Sequence, residues 1–303
     1  MDIVGYPIDQ YAEWNEKQRI SDIRILPGGD AVNQSIYLAA LEMEPVLAAC
    51  IGADMNGKML KAALKEMGVH VDCVKEKQGH ATGTAMVLVN EQAERRIFSV
   101  KGAHSTLSKE DVPNLEESYE AISLASLFSM PDFETDGLEE FLTNAKEKEI
   151  PVFADLAADK FGQGLEGIRR FLPYITYFMP SLYDVLGMTG TASAEEAANE
   201  FHQLGVPYVI IKCGAKGCYY SEKNGTCGWA SAYPVEVVDT TGAGDCTVAA
   251  FIASILHGNP LGDACRYACA AGSYSTTFAG ASTAELSDAV IRDLIEQFAG
   301  KMK

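Results

Sequence analysis

A glycine-rich stretch late in the chain, DTTGAGD at residues 239–245, constrains the fold more than any other feature. The apolar run before it, Tyr233 to Val238, predicts a strand, and the apolar spacing after Asp245 predicts a helix from Cys246 to His257. Glycines at a strand-to-helix turn let the backbone approach a ligand, and unpaired N–H groups at the helix start favour an anion. A carboxylate beside a phosphate is useful where it acts on the attacking group, so the stretch predicts phosphoryl transfer to an alcohol.

A second glycine turn lies near the amino end, from Leu26 to Gln34. Asp30 is predicted to cap a helix, Ala31 to Leu41, whose apolar residues recur at core spacing. Gly28 and Gly29 would let the backbone approach a ligand at the start of that helix. The two turns are called the late turn (residues 239–245) and the early turn (residues 26–34) below.

The two turns, in this order, resemble the signatures of the ribokinase-like (PfkB) carbohydrate kinases, and the resemblance covers essentially the whole chain. It implies that Asp245 is the base that takes the proton of a sugar hydroxyl. It also implies that the backbone of Gly242, Ala243 and Gly244 forms an anion hole for the transferred phosphate. An ordinary glycine turn with a solvated aspartate is the alternative, and the match along the whole late turn makes it a minor one.

The resemblance also implies an acceptor site. Gly28, Gly29 and Asn33 correspond to a Gly-Gly-x-x-x-Asn motif that binds the sugar, and Asp9 falls near the acid that hydrogen-bonds sugar hydroxyls. A plain loop aspartate is the alternative for Asp9, since aspartate is common in turns. Ribokinases proper often carry lysine where this chain has Asp30, so the motif does not select ribose.

The nucleotide site is implied by two further segments. Ser181 and Asp184 stand where the family usually has Asn-x-x-Glu, which helps to place Mg²⁺ and the nucleotide phosphates. Both side chains are shorter than the usual pair, so looser or water-mediated metal placement is expected. Lys212, Gly214 and Gly217 lie in a strand and turn that resemble the nucleotide-binding segment of the family. The implied cofactors are ATP and Mg²⁺.

A monovalent cation site is implied as well. In the family, such an ion sits between the loop that closes the adenine side, here Ala279 to Ala281, and the first aspartate of the late turn. The resemblance therefore makes Asp239 and the carbonyl of Thr241 a candidate site for K⁺.

Alternating strand and helix patterns predict an α/β fold with a mostly parallel central sheet and helices on both faces. The resemblance makes this a ribokinase-like three-layer sandwich, a single domain over residues 1–303. The predicted strands are Ile3–Tyr6, Val46–Ile51, one beginning at Val69–Val71, Ala85–Asn90, Arg95–Val100, Leu124–Phe128, Val152–Asp155, Ile175–Met179, Val209–Lys212, Gly217–Tyr220 and Thr226–Ala230. The other predicted helices are Met55–Met67, Gly137–Lys148 and Asp263–Phe278.

Two runs break the alternation and predict a hairpin, Ala85 to Asn90 and Arg95 to Val100. With residues from about 9–26 and 80–102, they match the small β-sheet lid of the family, which would keep water from the transfer. The hairpin carries apolar residues on both faces, and only one face can cover the sugar. A homodimer formed through the other face of the lid is therefore expected.

Composition limits the classes of partner. The formal net charge of −18 argues against nucleic acid and anionic membranes. No apolar run is long enough to span a bilayer, and the start of the chain does not resemble a signal peptide. The eight cysteines form no C-x-x-C pair, so reduced thiols in a cytoplasmic protein are expected.

The leading hypothesis is ATP-dependent phosphorylation of a sugar or sugar-like hydroxyl. A nucleoside kinase on the same fold is one alternative, and a catalytically weakened sugar-binding sensor is another, because of Ser181 and Asp184. A nicotinamide-dependent oxidoreductase would need G-x-G-x-x-G after an early strand, where this chain has Gly5 alone. The sequence does not distinguish sugar, sugar acid, nucleoside and phosphosugar acceptors.

Overall fold

A computed structural model describes residues 1–9, 17–90, 95–116 and 118–299. Its strands are β1 (Asp2–Tyr6), β2 (Asp22–Leu26), β3 (Ala49–Gly52), β4 (Val74–Lys77), β5 (Thr84–Val89), β6 (Arg95–Val100), β7 (Ile122–Leu127), β8 (Val152–Leu156), β9 (Tyr177–Phe178), β10 (Tyr208–Lys212), β11 (Cys218–Glu222) and β12 (Cys227–Ala230). Its helices are α1 (Asp30–Ala40), α2 (Met55–Glu66), α3 (Pro131–Asp136), α4 (Leu138–Glu147), α5 (Gly164–Ile168), α6 (Leu182–Thr189), α7 (Ala194–Gln203), α8 (Ala243–Leu256), α9 (Leu261–Ser275) and α10 (Asp288–Phe298).

The central sheet has six strands in the order β12-β11-β10-β9-β8-β7. Strands β7 to β10 are parallel, and β11 and β12 are added antiparallel at one edge. Because side chains alternate along a strand, Val152 and Ala154 of β8 pack in the core shared with α4 and α7, whereas Phe153 packs with α8 and α9. Helices therefore cover both faces, and the predicted three-layer α/β sandwich is confirmed.

A second, smaller sheet has the order β2-β1-β5-β6, with β1 parallel to β5 and the other pairs antiparallel. The predicted hairpin is its β5–β6 pair. Residues 10–16, part of the predicted lid segment 9–26, lie outside the described residues. The strand register places five apolar side chains on one face, which we call the outer face, and each is 45% to 63% exposed: Ile23, Ile25, Met86, Phe98 and Val100.

The strand predicted at Tyr233–Val238 is absent, and that prediction was wrong. The segment runs along the end of α9 instead of joining a sheet. The N–H of Tyr233 donates to the Ser273 hydroxyl at 2.9 Å, and those of Val238 and Asp239 donate to the Thr276 carbonyl at 2.8 and 3.0 Å. Apolar spacing alone does not distinguish an extended segment bonded to a helix from a strand in a sheet.

Two further local predictions were wrong. Val69–Val71 forms only an isolated bridge through His70, because the chain turns and Val74 donates to the Val71 carbonyl; the strand is the later β4. Asp30 does not cap α1. Gly29, with φ of 112°, precedes the helix, and Asp30 lies in its first turn.

The predicted helices are present, with ends displaced by a few residues. The displacement matters at α8, which begins at Ala243 instead of Cys246, so that Asp245 lies inside its first turn. In the described part of the chain, no helix combines the length and apolar character needed to cross a membrane.

Candidate active site

The late turn places Asp245 at the buried start of α8. Gly242 precedes the helix in the left-handed conformation, with φ of 74°. A Cβ on Gly242 would lie 2.1 Å from the Ala281 carbonyl oxygen, so the turn is packed directly against the loop at 279–281. Asp245 is only 8% exposed, although it is charged in its ordinary state. Burial of the carboxylate at the helix start excludes a solvated cap and makes Asp245 a candidate for chemistry.

Helix α1 brings the early turn to Asp245. Asn33 Nδ2 donates to Asp245 Oδ2 at 2.8 Å, and Gln34 Nε2 donates to Oδ1 at 3.4 Å. Ser123 of β7 in turn donates to Gln34 Oε1 at 2.7 Å. Asn33 Oδ1 is buried without a hydrogen-bond partner among the described residues. A buried acceptor of this kind is costly unless a ligand supplies a donor, so Asn33 offers a place for a hydroxyl next to the Asp245 carboxylate.

The electrostatics of the pocket favour a neutral Asp245. Burial, and then the negative charge of Asp30, raise the pKa of Asp245 to about 7. The bond from Asn33 and the charge of Lys212 oppose that rise. A carboxyl group with a pKa near neutrality is suited to accepting a proton at physiological pH.

Two acids near the early turn were not among the predicted site residues. Asp30 accepts a hydrogen bond from the Ser126 hydroxyl at the end of β7. A Cβ on Gly28 would lie 2.3 Å from Asp2 Oδ2, so Asp2 lies against the early turn, and burial raises the pKa of Asp2. The predicted acid, Asp9, is exposed after β1, where its backbone pairs with the Gln18 side chain at 2.8 and 3.0 Å.

Lys212 ends β10 beside the late turn. Its ammonium contacts the Asp155 carboxylate of β8 directly. A Cβ on Gly244 would lie 3.6 Å from Lys212 Nζ, so the charge lies next to the first turn of α8. Asp155 was not among the predicted site residues. Its signal was an acid near the end of the apolar run 152–156, where the carboxyl ends of parallel strands meet.

Ser181 and Asp184 bond to each other at the start of α6. The Ser181 hydroxyl donates to Asp184 Oδ2 at 2.6 Å and accepts from the Asp184 N–H at 3.2 Å. Ser181 is also bridged to Lys212 along the sheet. The pair therefore lies beside Lys212, with Ser181 capping α6, and its part in metal placement stays a prediction.

The remaining predicted nucleotide residues form the turn after β10. Gly214 and Gly217 have φ of 57° and 92°, and the Cys213 N–H donates to the Gly217 carbonyl at 2.7 Å. A Cβ on Gly217 would lie 2.0 Å from the Ala230 carbonyl oxygen. Only glycine fits this close approach of two backbones.

Asp239 joins the late turn to the loop at 279–281. Its Oδ1 accepts from the Thr241 N–H at 3.0 Å and from the Thr241 hydroxyl at 2.7 Å. Its Oδ2 accepts from the Gly280 N–H at 3.0 Å. Both candidate cation residues thus lie together, at the junction of the two loops.

Comparison with known proteins places these features in a family. The model of the pfkB family carbohydrate kinases matches residues 1–288. A ribokinase of Schizosaccharomyces pombe is 28% identical over 84% of this chain and 82% of its own length. A pseudouridine kinase of Escherichia coli is 25% identical over 98% of this chain and 94% of its own. Among solved structures, an Arabidopsis thaliana ribokinase complexed with ribose and ATP has a TM-score of 0.76 at 25% identity, covering 97% of this chain and 95% of that one.

Proposed function

This chain belongs to the pfkB family of carbohydrate kinases, and we propose that it transfers the γ-phosphoryl group of ATP to a hydroxyl of a sugar or a sugar-like molecule. The observation that carries the proposal is the hydrogen bond between Asn33 and the buried Asp245. It brings the two glycine turns together at a buried carboxyl group with a pKa near neutrality, beside an Asn33 oxygen that has no hydrogen-bond partner among the described residues.

The acceptor is held by the early turn. Gly28 and Gly29 let the sugar approach the backbone, and Asn33 Oδ1 takes a hydrogen bond from one of its hydroxyls. Asp9, from the small sheet, reaches the sugar when that sheet closes over the pocket. Closure excludes water, which would otherwise compete with the sugar for the phosphoryl group.

Asp245 takes the proton of the attacking hydroxyl. The acceptor oxygen bonds to the γ-phosphorus while the bond from that phosphorus to the bridging oxygen of ATP breaks, and ADP leaves. Gly242, Ala243 and Gly244 surround the transferred group at the positive end of α8. The transition state of phosphoryl transfer is loose, so position and charge contribute more than the strength of the base.

The nucleotide lies along the carboxyl edge of the sheet, against Lys212 and the turn formed by Gly214 and Gly217. Mg²⁺ usually arrives on the phosphates with several of its waters, so it needs few protein ligands. The described part of the chain holds no cluster of three His, Cys, Asp or Glu side chains suited to a metal. Ser181 and Asp184 would meet the ion through water, and the ion neutralises phosphate charge when it is bound.

ADP release in a panel of acceptors tests the function. The panel should hold pentoses, hexoses, sugar acids, phosphosugars and nucleosides, the last because a pseudouridine kinase is among the relatives. We expect one class to stimulate ADP release well above the rate without acceptor. Tight binding of a sugar by calorimetry with no turnover for any acceptor would instead favour the sensor.

Potassium should activate the enzyme, because we propose that Asp239 and the Thr241 carbonyl hold a monovalent cation behind the anion hole. We expect the rate to rise when Na⁺ is replaced by K⁺ at constant ionic strength. Asp239→Ala should abolish the response. Since Asp239 also bonds Gly280, the measured quantity is the ratio of rates in the two salts, not the rate itself. Equal wild-type rates in both salts would count against the site.

The outer face of the small sheet should form a two-fold homodimer, because its five exposed apolar side chains are otherwise left in water. Ile25→Asp should give monomers in sedimentation at micromolar concentration and weaken acceptor affinity, since the same sheet covers the acceptor. Met59→Asp, on α2 at 43% exposure, is the matched control and should stay dimeric. A monomeric wild-type protein with normal acceptor affinity would contradict the dimer.

A further inference from the structure

A buried ion pair bridges two strands beside the late turn. Lys212 and Asp155 belong to β10 and β8, which are separated in the sheet by β9. The chain continues between them after β9, since the Met179 N–H donates to the Ala154 carbonyl and the Lys212 N–H donates to the Pro180 carbonyl. The two side chains therefore reach each other across the middle strand. The side chains are 14% and 8% exposed. Desolvation of such a pair offsets much of its attraction, so stability is a poor explanation of its presence.

The ion pair keeps the Lys212 ammonium next to the proposed anion hole. Lys212 Nζ lies 3.6 Å from the position of a Cβ on Gly244. Asp155 is itself fixed, because its Oδ1 accepts from the Leu156 N–H at 2.8 Å. Within the described residues, Asp155 is the hydrogen-bond partner of Nζ. An ammonium has three N–H groups, so two are left for a ligand at the start of α8.

The residues proposed to meet the metal through water lie beside this ammonium. The Ser181 hydroxyl and the Asp184 carboxylate bond to each other and cap α6. Ser181 is bridged to Lys212 along the sheet, so the lysine occupies the same corner of the site. Lys212 is held in place, so its ammonium supplies a positive charge at a fixed position. A metal ion held through water would supply charge at a less fixed position.

We propose that Asp155 is a positioning residue, which holds the Lys212 ammonium where it neutralises the phosphoryl group during transfer. The proposal rests on the proposed kinase function and adds a residue to it. The bonds formed and broken are those of that reaction, and the acceptor proton goes to Asp245. Lys212 keeps its proton throughout and acts by charge alone. Asp155 touches neither substrate and acts only through Lys212.

The test is a double-mutant cycle with Asp155→Asn and Lys212→Gln, both close in volume to the native residues. We expect Asp155→Asn to lower kcat about tenfold to a hundredfold, as for lost electrostatic stabilisation, with little change in the acceptor KM. Lys212→Gln should lower kcat at least as much. The double variant should match Lys212→Gln within about twofold, because Asp155 then has no charge to position. Calorimetry with a non-hydrolysable ATP analogue should show that nucleotide binding persists in all three.

A second, partly buried pair gives the matched control. Lys77 and Asp111 are 2.7 Å apart and 28% and 10% exposed, and they lie on β4 and a loop away from the late turn. Asp111→Asn should lower Tm, as should Asp155→Asn, but leave kcat unchanged. A purely structural role for Asp155 predicts that the two variants behave alike.

Two results would overturn the proposal: a normal kcat in Asp155→Asn, or effects of the two substitutions that multiply in the double variant. If Asp155→Asn fails to fold, the double variant, which leaves two amides able to bond each other and no unpaired charge, is compared with Lys212→Gln. A kcat below that of Lys212→Gln overturns the proposal, because Asp155 would then act without Lys212, and an equal kcat supports it. A wild-type protein inactive with every acceptor would defeat the kinase function instead, which separates the two failures.

Discussion

Asp245→Asn should lower the rate of phosphorylation by about two orders of magnitude or more, the usual effect of losing a general base. The amide keeps the size of the side chain and an oxygen that can accept the hydrogen bond from Asn33. It does not take a proton near neutral pH. Acceptor binding should therefore persist. The measurement is kcat by ADP release together with acceptor affinity by calorimetry. Near-normal turnover would rule out Asp245 as the base.

The pH profile gives an independent check on the same residue. Since the base works only when ionised, wild-type kcat/KM should rise with pH and level off above the Asp245 pKa of about 7. The residual activity of Asp245→Asn should not show this rise with pH. A wild-type profile that is flat between pH 5 and 9 would contradict the assignment.

The stability of the folded protein should change with pH in the opposite direction to the activity, and fall as the pH rises. The folded-state pKa of Asp245 is raised above the ordinary value of 3.8, so the folded protein binds the proton more tightly than the unfolded chain. The stability that protonated Asp245 contributes is thus fully present below the pKa of this residue in the unfolded chain. It is lost as the pH rises through about 7. Asp245→Asn removes the buried charge, and its Tm should exceed that of the wild type at pH 8, with the difference shrinking toward pH 5.

Gly242→Ala should be nearly as damaging to activity, and it should also destabilise the fold. The residue has φ of 74°, which costs an L-residue about 1–2 kcal/mol. The new Cβ would also lie 2.1 Å from the Ala281 carbonyl oxygen, so either the late turn or the loop at 279–281 must move. Displacement of the anion hole by about 1 Å is expected to lower kcat about a hundredfold.

Gly258→Ala, at the other end of α8, separates the two causes. Gly258 has φ of 81°, but a Cβ there meets no atom within 4 Å. This variant should lose about 1–2 kcal/mol of stability to backbone strain and keep full activity. Equal kcat in both variants would show that the contact between Gly242 and Ala281 does not position the phosphoryl group.

The sequence predicted the elements whose signals are local. Apolar spacing predicted α1 and α8, and the two glycine turns, which were predicted to form the site, lie together in the structure. The segment 233–238 defeated the same reasoning, because its N–H groups bond the Ser273 hydroxyl and the Thr276 carbonyl, which lie far along the chain. A pattern of apolar residues reports burial, and it does not report which group receives a hydrogen bond.

The site was predicted in part for a similar reason. Asn33 was expected to bind the acceptor, but nothing in its neighbourhood indicated that its amide would bond the base 212 residues away. Asp155 had no motif around it at all, and its ion pair with Lys212 depends on β8 and β10 lying on either side of β9. Such contacts follow from the sheet order, which a single sequence does not specify.

The bond from Asn33 to Asp245 has a consequence for redesign. In the proposed mechanism one amide faces both the proposed base and the acceptor, so a substitution at Asn33 intended to admit a new acceptor should also disturb Asp245. The small sheet differs from Asn33 in this respect. Among the described residues, none of its strands supplies a hydrogen bond to the Asp245 carboxylate. Substitutions intended to change the choice of acceptor should therefore be made on β1, β2, β5 and β6. Asn33 and Asp245 should be left unchanged.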